Sequence, residues 1–356
     1  MIPGGGVLID AYQRFHSTGP EWGPDQLTNH GPMAVEVLIR RGRPEVVPGW
    51  VDGYIRRLDE LPRQTGAITD ASWRDALGDG RRVGDWTTYF ARQLTEQPWR
   101  DVLAAWWRRL LPGIAAGATH GVIRTGHVVR TLLAGAENEP TLDELAHALA
   151  FWAARSRPIP PSTAPAGQLD PLAALDAIPR IASQQGNLAT RFGQLTPESG
   201  WPASVGMLRP ARTAEEIRTR LGDLVAAATL RYLSHGHGQP VLLVHTATAP
   251  NAVLHSLPAL PDDLWEPSLM AVWAASAAIF AAYAPAAGAT PASLPVPVPG
   301  AGAVAALLDR AVDHGDEHVI KFSDTAAEVY TRTGQAGALA AALRAGELIP
   351  GRRPVR

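Results

Sequence analysis

The chain has no cysteine and a single lysine, Lys321, among its 356 residues. Without thiols it cannot form disulfides, cysteine-ligated zinc or iron–sulfur sites, or a thiol nucleophile. Any bound metal must therefore take imidazole and oxygen ligands. All the other residues of these two basic types are Arg, so the position of the single lysine calls for a chemical explanation.

Charge is also scarce, at 19% of residues with a net charge of -2, whereas 46% of residues are hydrophobic. A chain with this balance has ample material for a globular core and no basic field for a nucleic-acid backbone. The amino-terminal segment from Met1 to Gly6 lacks the positive charge of a secretory signal. We therefore predict a cytoplasmic protein with no nucleic-acid partner.

Long hydrophobic runs are rare, and the run from Met270 to Ala287 alone approaches membrane-spanning length. It is rich in Ala, contains Pro285 and lacks basic flanks. These features predict a buried core helix and no membrane partner.

Apolar residues recur at spacings of three and four along most of the chain, which predicts an all-α, multi-helical fold. Two capping boxes are expected to open long helices, Thr141 with Glu144 and Thr213 with Glu216. The one predicted strand is Val241 to Val244. We expect one domain over residues 1–356, with Pro- and Ala-rich loop insertions at 157–169 and 284–300. The predicted helices are 7–15, 32–41, 45–60, 85–95, 99–111, 113–133, 142–156, 213–233, 251–257, 264–283, 301–313 and 316–333.

The 11 histidines are the main candidates for metal-binding or catalytic side chains. His30 precedes Gly31 and Pro32 at a predicted helix start. His120 and His127 are seven residues apart, two turns on one helix, and therefore share a face. One ion is not expected to bind both, so one is predicted to be a ligand and the other to contact the substrate or a ligand. Packing of both as polar members of a buried stripe is the simpler alternative.

His245 follows an apolar run, and His318 and Lys321 are spaced so that their side chains meet on one helical face. Because Asp316 and Glu317 make this segment polar, a surface pair is the plain alternative. Imidazole is a common metal ligand, but an ammonium group would repel a cation. Burial lowers the pKa of lysine, and a neutral amine can capture CO2 as a carbamate, which supplies an oxygen ligand.

Five segments, in order, resemble the questin oxidase family: NHGPM, HGVIRTGHVVR, FWAAR, HTATAPNAV and EHVIKF. The similarity spans roughly residues 10–345 and is weak at 157–212. The resemblance implies a mainly helical oxygenase that opens anthraquinone-like rings of aromatic polyketides with O2, by carbon–carbon cleavage or Baeyer–Villiger-type oxygen insertion. It further implies non-haem Fe(II), or another divalent transition metal, held by four histidines and a carboxylated lysine.

Carried over by motif, the implied ligands are His30, His120, His245, His318 and Lys321, with His127 as the alternative to His120. Other residues are predicted to orient ligands or contact substrate, namely His127, Asp316, Glu317, Arg124, Trp152 and Arg155. In particular, Asp316 and Glu317 are expected to cap the helix or orient His318, and the two arginines to pair with a phenolate.

Two other functions remain open from the sequence. One is an NADPH- or flavin-dependent Baeyer–Villiger monooxygenase without iron, for which GAGAVA at 300–305 is a weak dinucleotide signal, because it follows prolines and not a strand. The other is a non-catalytic helical binding protein.

Overall fold

The computed structural model describes residues 4–351, and these form an all-α structure with one two-stranded hairpin. The predicted fold class is thereby confirmed. Contacts along the chain group the described residues into two compact units, residues 4–158 with 255–264, and residues 159–254 with 265–351. A single folding domain over the whole chain stays a prediction.

The first unit is built around α8, which packs against α1, α5, α6 and α7, while α2 packs against α1, α3 and α7. A short antiparallel hairpin lies between α1 and α2. The elements are α1 Gly5–Phe15, β1 Glu21–Trp22, β2 Leu27–Thr28, α2 Gly31–Arg40, α3 Val47–Ile55, α4 Trp73–Ala76, α5 Val83–Glu96, α6 Trp99–Leu110, α7 His120–Leu133 and α8 Glu139–Ala154.

The second unit centres on α12, which packs against α9, α15, α17 and α18, and α17 also packs against α16 and α18. The helices are α9 Pro171–Asp176, α10 Leu188–Phe192, α11 Trp201–Gly206, α12 Ala214–His235, α13 Pro240–Leu243, α14 His245–Ser256, α15 Trp265–Tyr283, α16 Ala303–His314, α17 Glu317–Thr333 and α18 Ala336–Leu348. The last two residues of α14 belong to the first unit.

The two predicted capping boxes have different outcomes. Thr213 caps α12 as predicted, because its hydroxyl accepts the Glu216 N–H while the Glu216 carboxylate accepts the Thr213 N–H. The box at Thr141 is wrong. Helix α8 begins one turn earlier, where the side chain of Asn138 accepts the Thr141 N–H and Pro140 occupies the first turn. Glu144 is thereby left for a buried ion pair.

The predicted strand at Val241 to Val244 is also wrong, because these residues lie in α13 and the turn that follows it. Pro240 has a fixed φ that suits the first turn of a helix, and no neighbouring segment offers a strand to pair with. The short apolar run was ambiguous by periodicity, as four residues are too few to separate the two patterns.

The apolar run near Met270 lies in α15, where 13 of the 15 residues from Ser268 to Ala282 are less than a tenth exposed. Among the described residues one segment, Asp262–Tyr283, is long and apolar enough to cross a membrane, and 78% of its most apolar window is buried. Such burial is typical of a core helix.

Candidate metal centre

His30 is held at the start of α2 by its backbone. Its N–H donates to the Tyr54 hydroxyl at 2.6 Å, and it occupies the N-cap position. The next residue must be glycine, because a Cβ at Gly31 would lie 2.4 Å from Cζ of Phe15. The chain can therefore pass close to the aromatic ring and turn the His30 imidazole inward, where it is buried.

His120 is the first residue of α7 and follows three consecutive left-handed residues, Gly117, Ala118 and Thr119, with φ of 51°, 55° and 74°. For Ala and Thr this conformation costs on the order of 1 kcal/mol each. The turn brings the Gly117 carbonyl onto Nδ1 of His120. Since a carbonyl only accepts, Nδ1 carries the proton and Nε2 keeps its lone pair.

The lone pair of His120 points at a second imidazole, because its Nε2 lies 2.6 Å from Nε2 of His30. The two rings are nearly perpendicular, with centroids 4.5 Å apart. Two nitrogens bound to one ion at about 2.1 Å and a right angle lie about 3 Å apart. The pair thus converges on one point in the manner of two ligands.

His245 and His318 repeat this arrangement in the second unit. Nδ1 of His245 is 3.0 Å from the Leu242 carbonyl, and Nδ1 of His318 is 3.3 Å from Oδ1 of Asp316. Both partners only accept, so both rings keep a lone pair on Nε2. The ring centroids are 5.9 Å apart and the planes are perpendicular.

Asp316 caps α17 and lies beside the His318 ring. Its Oδ1 accepts the backbone N–H groups of His318 and Val319, which caps α17, and it also faces the His318 ring. Burial raises the pKa of Asp316, but its hydrogen bonds with the His318 ring and with the backbone N–H groups of His318 and Val319 lower it, and the net shift is downward. The carboxylate therefore stays ionised, and Glu317 beside it is buried too.

Four buried histidines offer ligand nitrogens in two pairs, His30 with His120 in the first unit and His245 with His318 in the second, and within each pair these nitrogens lie within 4.8 Å of each other. We call these four residues the four-histidine group. Each lies at the N-terminal end of a helix, those of α2, α7, α14 and α17. Nitrogen ligands this close, with no charge of their own, could hold a metal ion. His127 does not belong to this group.

Lys321 lies one turn after His318 on α17 and is 1% exposed. Its Nζ has no hydrogen-bond partner among residues 4–351. Desolvation lowers the pKa of Lys321 to about 7, although the carboxylates of Glu317 and Asp316 oppose this. The lysine is therefore buried as predicted, and the alternative of a surface pair with His318 is wrong. Its neutral, carbamate-forming state stays a prediction.

Comparison of the chain with protein-family models and with curated proteins gives no match. The resemblance to questin oxidases thus stays a prediction.

His127 belongs to a different buried network. Its Nδ1 is 2.8 Å from Oε2 of Glu36, and Arg130 binds the same carboxylate through Nε at 2.8 Å and through Nη2. Burial raises the pKa of Glu36, but Arg130 and His127 outweigh it and lower the pKa to about 2. The sequence does not indicate the role of Glu36, because an acid on the predicted helix 32–41 carries no sign of its distant partner.

Arg124 forms a buried bidentate pair with Glu144, with nitrogen–oxygen distances of 2.6 and 2.7 Å. Both oxygens of Glu144 are engaged, so Arg124 is already neutralised. Burial raises the pKa of Glu144 by more than Arg124 lowers it. A phenolate would have to displace this carboxylate, and the prediction that Arg124 contacts the substrate gains no support.

Trp152 and Arg155 lie in other surroundings. Trp152 is fully buried, packs perpendicular to Trp107 at 5.2 Å between ring centroids, and would collide with a Cβ at Gly121. This is helix packing of α8 against α6 and α7. Arg155 pairs with Glu21 and lines a separate cavity of about 410 Å³ in the first unit, together with Trp22.

The GAGAVA segment also has no dinucleotide-binding geometry in the described chain. Gly302 caps α16 in a left-handed conformation, and residues 294–301 before it contain no strand. The fingerprint needs a strand before the glycines, because the strand directs the turn toward the pyrophosphate.

Proposed function

We propose that this protein is a non-haem iron(II) oxygenase that uses O2 to open the ring of an anthraquinone-like aromatic polyketide. The observation that supports metal binding best is the position of Nδ1 in His120, His245 and His318. Each Nδ1 lies against a group that only accepts hydrogen bonds, so in the neutral ring the lone pair is on Nε2, the nitrogen that would bind an ion. His30 supplies the fourth nitrogen, 2.6 Å from that of His120.

The donor set suits iron(II) better than most alternatives. Imidazole ligands fit zinc, copper, iron and nickel, and a His-plus-oxygen set with an open position is typical of non-haem iron oxygenases. Helix N-termini carry partial positive charge, which disfavours a bare dication and favours a negatively charged ligand beside it. Four neutral histidines at helix ends therefore call for an anionic fifth ligand.

Lys321 is our candidate for that ligand. A neutral amine adds to CO2 to give a carbamate and releases one proton, which converts a potential cation into an anionic oxygen donor. A pKa of about 7 leaves a large share of the amine neutral at physiological pH. Carbamylation would also offset the free-energy cost of burying an amine that has no hydrogen-bond partner in residues 4–351.

When bound, iron(II) would supply O2 activation next to an electron-rich phenol or hydroquinone. The chain itself contributes neutral, fixed imidazoles and a buried, water-poor setting in which charge interactions are strong. The positive helix ends at His30, His120, His245 and His318 would stabilise negative charge on a phenolate oxygen. Carbon–carbon cleavage and oxygen insertion are both compatible with these contributions.

The first experiment is metal analysis of protein purified without oxygen and reconstituted with iron(II). We expect one equivalent of iron in the wild type and little in His318→Ala. His237→Ala is the matched control, because His237 is exposed and lies outside the histidine group. Failure of the wild type to retain stoichiometric iron or another transition metal would contradict the proposal and favour a binding protein.

Activity is tested with a hydroxylated anthraquinone, following O2 consumption and ¹⁸O incorporation with and without NADPH. We expect ring-opened product that depends on loaded iron. A flavin spectrum in the purified protein, or turnover by metal-free protein with NADPH, would favour the iron-independent Baeyer–Villiger monooxygenase.

The carbamate has its own test. Lys321→Ala should lose metal and activity together, and Lys321→Arg should restore neither, since a guanidinium keeps its charge and cannot react with CO2. Removing CO2 and bicarbonate during reconstitution should lower metal loading of the wild type. A fully active Lys321→Arg would rule out the carbamate.

A further inference from the structure

A second group of ionisable side chains lies apart from the four-histidine group, at a cavity of about 250 Å³ in the first unit. Helix α8 contributes Glu139, Asp143 and His147 to its wall, and His16 lies just after the end of α1. The two helices pack against each other.

The α8 residues share one face of the helix, because Glu139, Asp143 and His147 are spaced by four. An i, i+4 pair of ligands is the spacing by which a helix offers two donors to one ion, as in the HExxH zinc motif. The wall also carries Glu144, whose charge is balanced by Arg124. Glu139 and Asp143 therefore leave the cavity with net negative charge.

Two separations in this group are close to those around a tetrahedral ion, but the ligand atoms of His16, Asp143 and His147 do not all lie within 4.8 Å of one another. Nδ1 of His16 lies 3.6 Å from Oδ2 of Asp143, close to the roughly 3.4 Å that separates two ligand atoms of one zinc ion. The rings of His16 and His147 have centroids 5.3 Å apart at 67°. Two imidazoles bound to one tetrahedral ion have centroids roughly 5 Å apart.

His147 has a buried ring nitrogen that a metal ion could bind. It is 4% exposed, and its Nε2 is buried with no hydrogen-bond partner among residues 4–351. Leaving such a nitrogen unpaired costs about 1–3 kcal/mol. His16 is exposed, with 56% of its side chain accessible, and can move to complete a site around the fixed His147.

We propose that His16, Asp143 and His147 bind a second divalent transition-metal ion, best matched by Zn²⁺, with Glu139 or water as the fourth ligand. Two imidazoles and a carboxylate form a donor set that zinc readily takes. Asp143 and His147 are the helical pair, and His16 joins the ion from α1. This site is independent of the proposed oxygenase activity.

The test compares the number of zinc ions bound by the full-length wild type and by His16→Ala in equilibrium dialysis. His16 is exposed, so its variant should fold, as circular dichroism will verify. We expect one zinc fewer in His16→Ala, and a loss of affinity of at least tenfold for that ion in Asp143→Asn. His237→Ala, which removes an exposed histidine elsewhere, should bind as many ions as the wild type.

Because the readout is a difference, it does not depend on whether the four-histidine group binds metal. The variant Lys321→Ala, which disrupts the four-histidine group, should still bind the second zinc ion. The double variant Lys321→Ala/His16→Ala should not bind it. Equal zinc binding by wild type and His16→Ala, or unchanged affinity in Asp143→Asn, would overturn the second site. As an independent readout, Co²⁺ in the wild type should give the intense visible absorption of tetrahedral cobalt, absent in His16→Ala.

Discussion

Single hydrogen bonds decide which nitrogen of each histidine is available to a metal. For His318 the decisive partner is Asp316, which also caps α17. For His120 and His245 it is a backbone carbonyl, which substitution cannot remove. Asp316 is therefore the position at which ring orientation can be tested by mutation.

We expect Asp316→Asn to lower metal affinity about 10- to 100-fold, because an amide is a weaker and less fixed acceptor for the ring proton. Asn is as good an N-cap as Asp, so α17 should stay intact. The measurement is metal titration by calorimetry, with thermal unfolding of metal-free protein as the control. Unchanged affinity would show that Asp316 is only a cap.

Lys321 should make the free energy of unfolding of metal-free protein depend on pH. Its pKa is lowered to about 7 in the folded chain by desolvation, against an ordinary value near 10.5. Between these values the unfolded chain binds a proton that the folded chain does not, so the free energy of unfolding rises with pH over this window. The full rise corresponds to roughly 5 kcal/mol.

Lys321→Met, which keeps the length of the side chain without a charge, should abolish this rise and stabilise metal-free protein at pH 7. Urea unfolding of both proteins after chelator treatment, at several pH values from 7 to 10, provides the comparison. A parallel pH dependence in the two proteins would mean that the buried amine is not the cause.

At the scale of elements, the N-terminus of α7 combines strain with a functional residue. Ala118 and Thr119 hold left-handed conformations directly before His120. Such strain persists only where surrounding packing enforces it, here with the buried Thr119 at the helix start. The strained turn places the Gly117 carbonyl on His120.

We expect Ala118→Gly to stabilise the protein by up to about 1 kcal/mol, because glycine adopts φ of 55° without a Cβ clash. Metal affinity should fall, since the turn that fixes His120 becomes looser. Ala105→Gly is the matched control: it lies on the exposed side of α6 and should lose about 1 kcal/mol. Destabilisation by Ala118→Gly equal to that of the control would exclude strain at this turn.

At the scale of the whole molecule, stability in acid should depend on buried carboxylates whose pKa the fold lowers. Glu36 is the clearest case, because Arg130 and His127 both bind it inside the first unit. Its pKa of about 2 lies below the ordinary 4.5, so it stabilises the fold above the ordinary value. That stabilisation, about 3 kcal/mol, is lost as pH falls from 4.5 to 2.

We expect Glu36→Gln to cost about 3–5 kcal/mol near pH 7, because it leaves the Arg130 charge buried without its counter-ion. The difference from wild type should shrink as the pH falls toward 2. Chemical unfolding at pH 7, 4 and 3 measures it. A constant difference across this range would show that packing, and not charge, accounts for the loss.

The sequence by itself determined the helical class. Hydrophobic periodicity and capping residues were sufficient to predict long helices such as α12, where Thr213 and Glu216 form a capping box within one turn. They failed at α13, whose four residues are too short for a period, and at α8, where Asn138 competes with Thr141 for the cap. Local signals decide only local structure.

Tertiary structure alone decided which polar residues meet. His120 and His127 are equivalent by spacing, yet one faces His30 and the other faces Glu36. Arg124 and Trp152 looked like substrate contacts, but one is neutralised by Glu144 and the other packs against Trp107. Likewise, the burial of Lys321 depends on packing around α17, because a lysine in a polar helix segment reads as exposed until its neighbours exclude water. Partners distant in sequence leave no periodic trace, so their identity comes only from the folded chain.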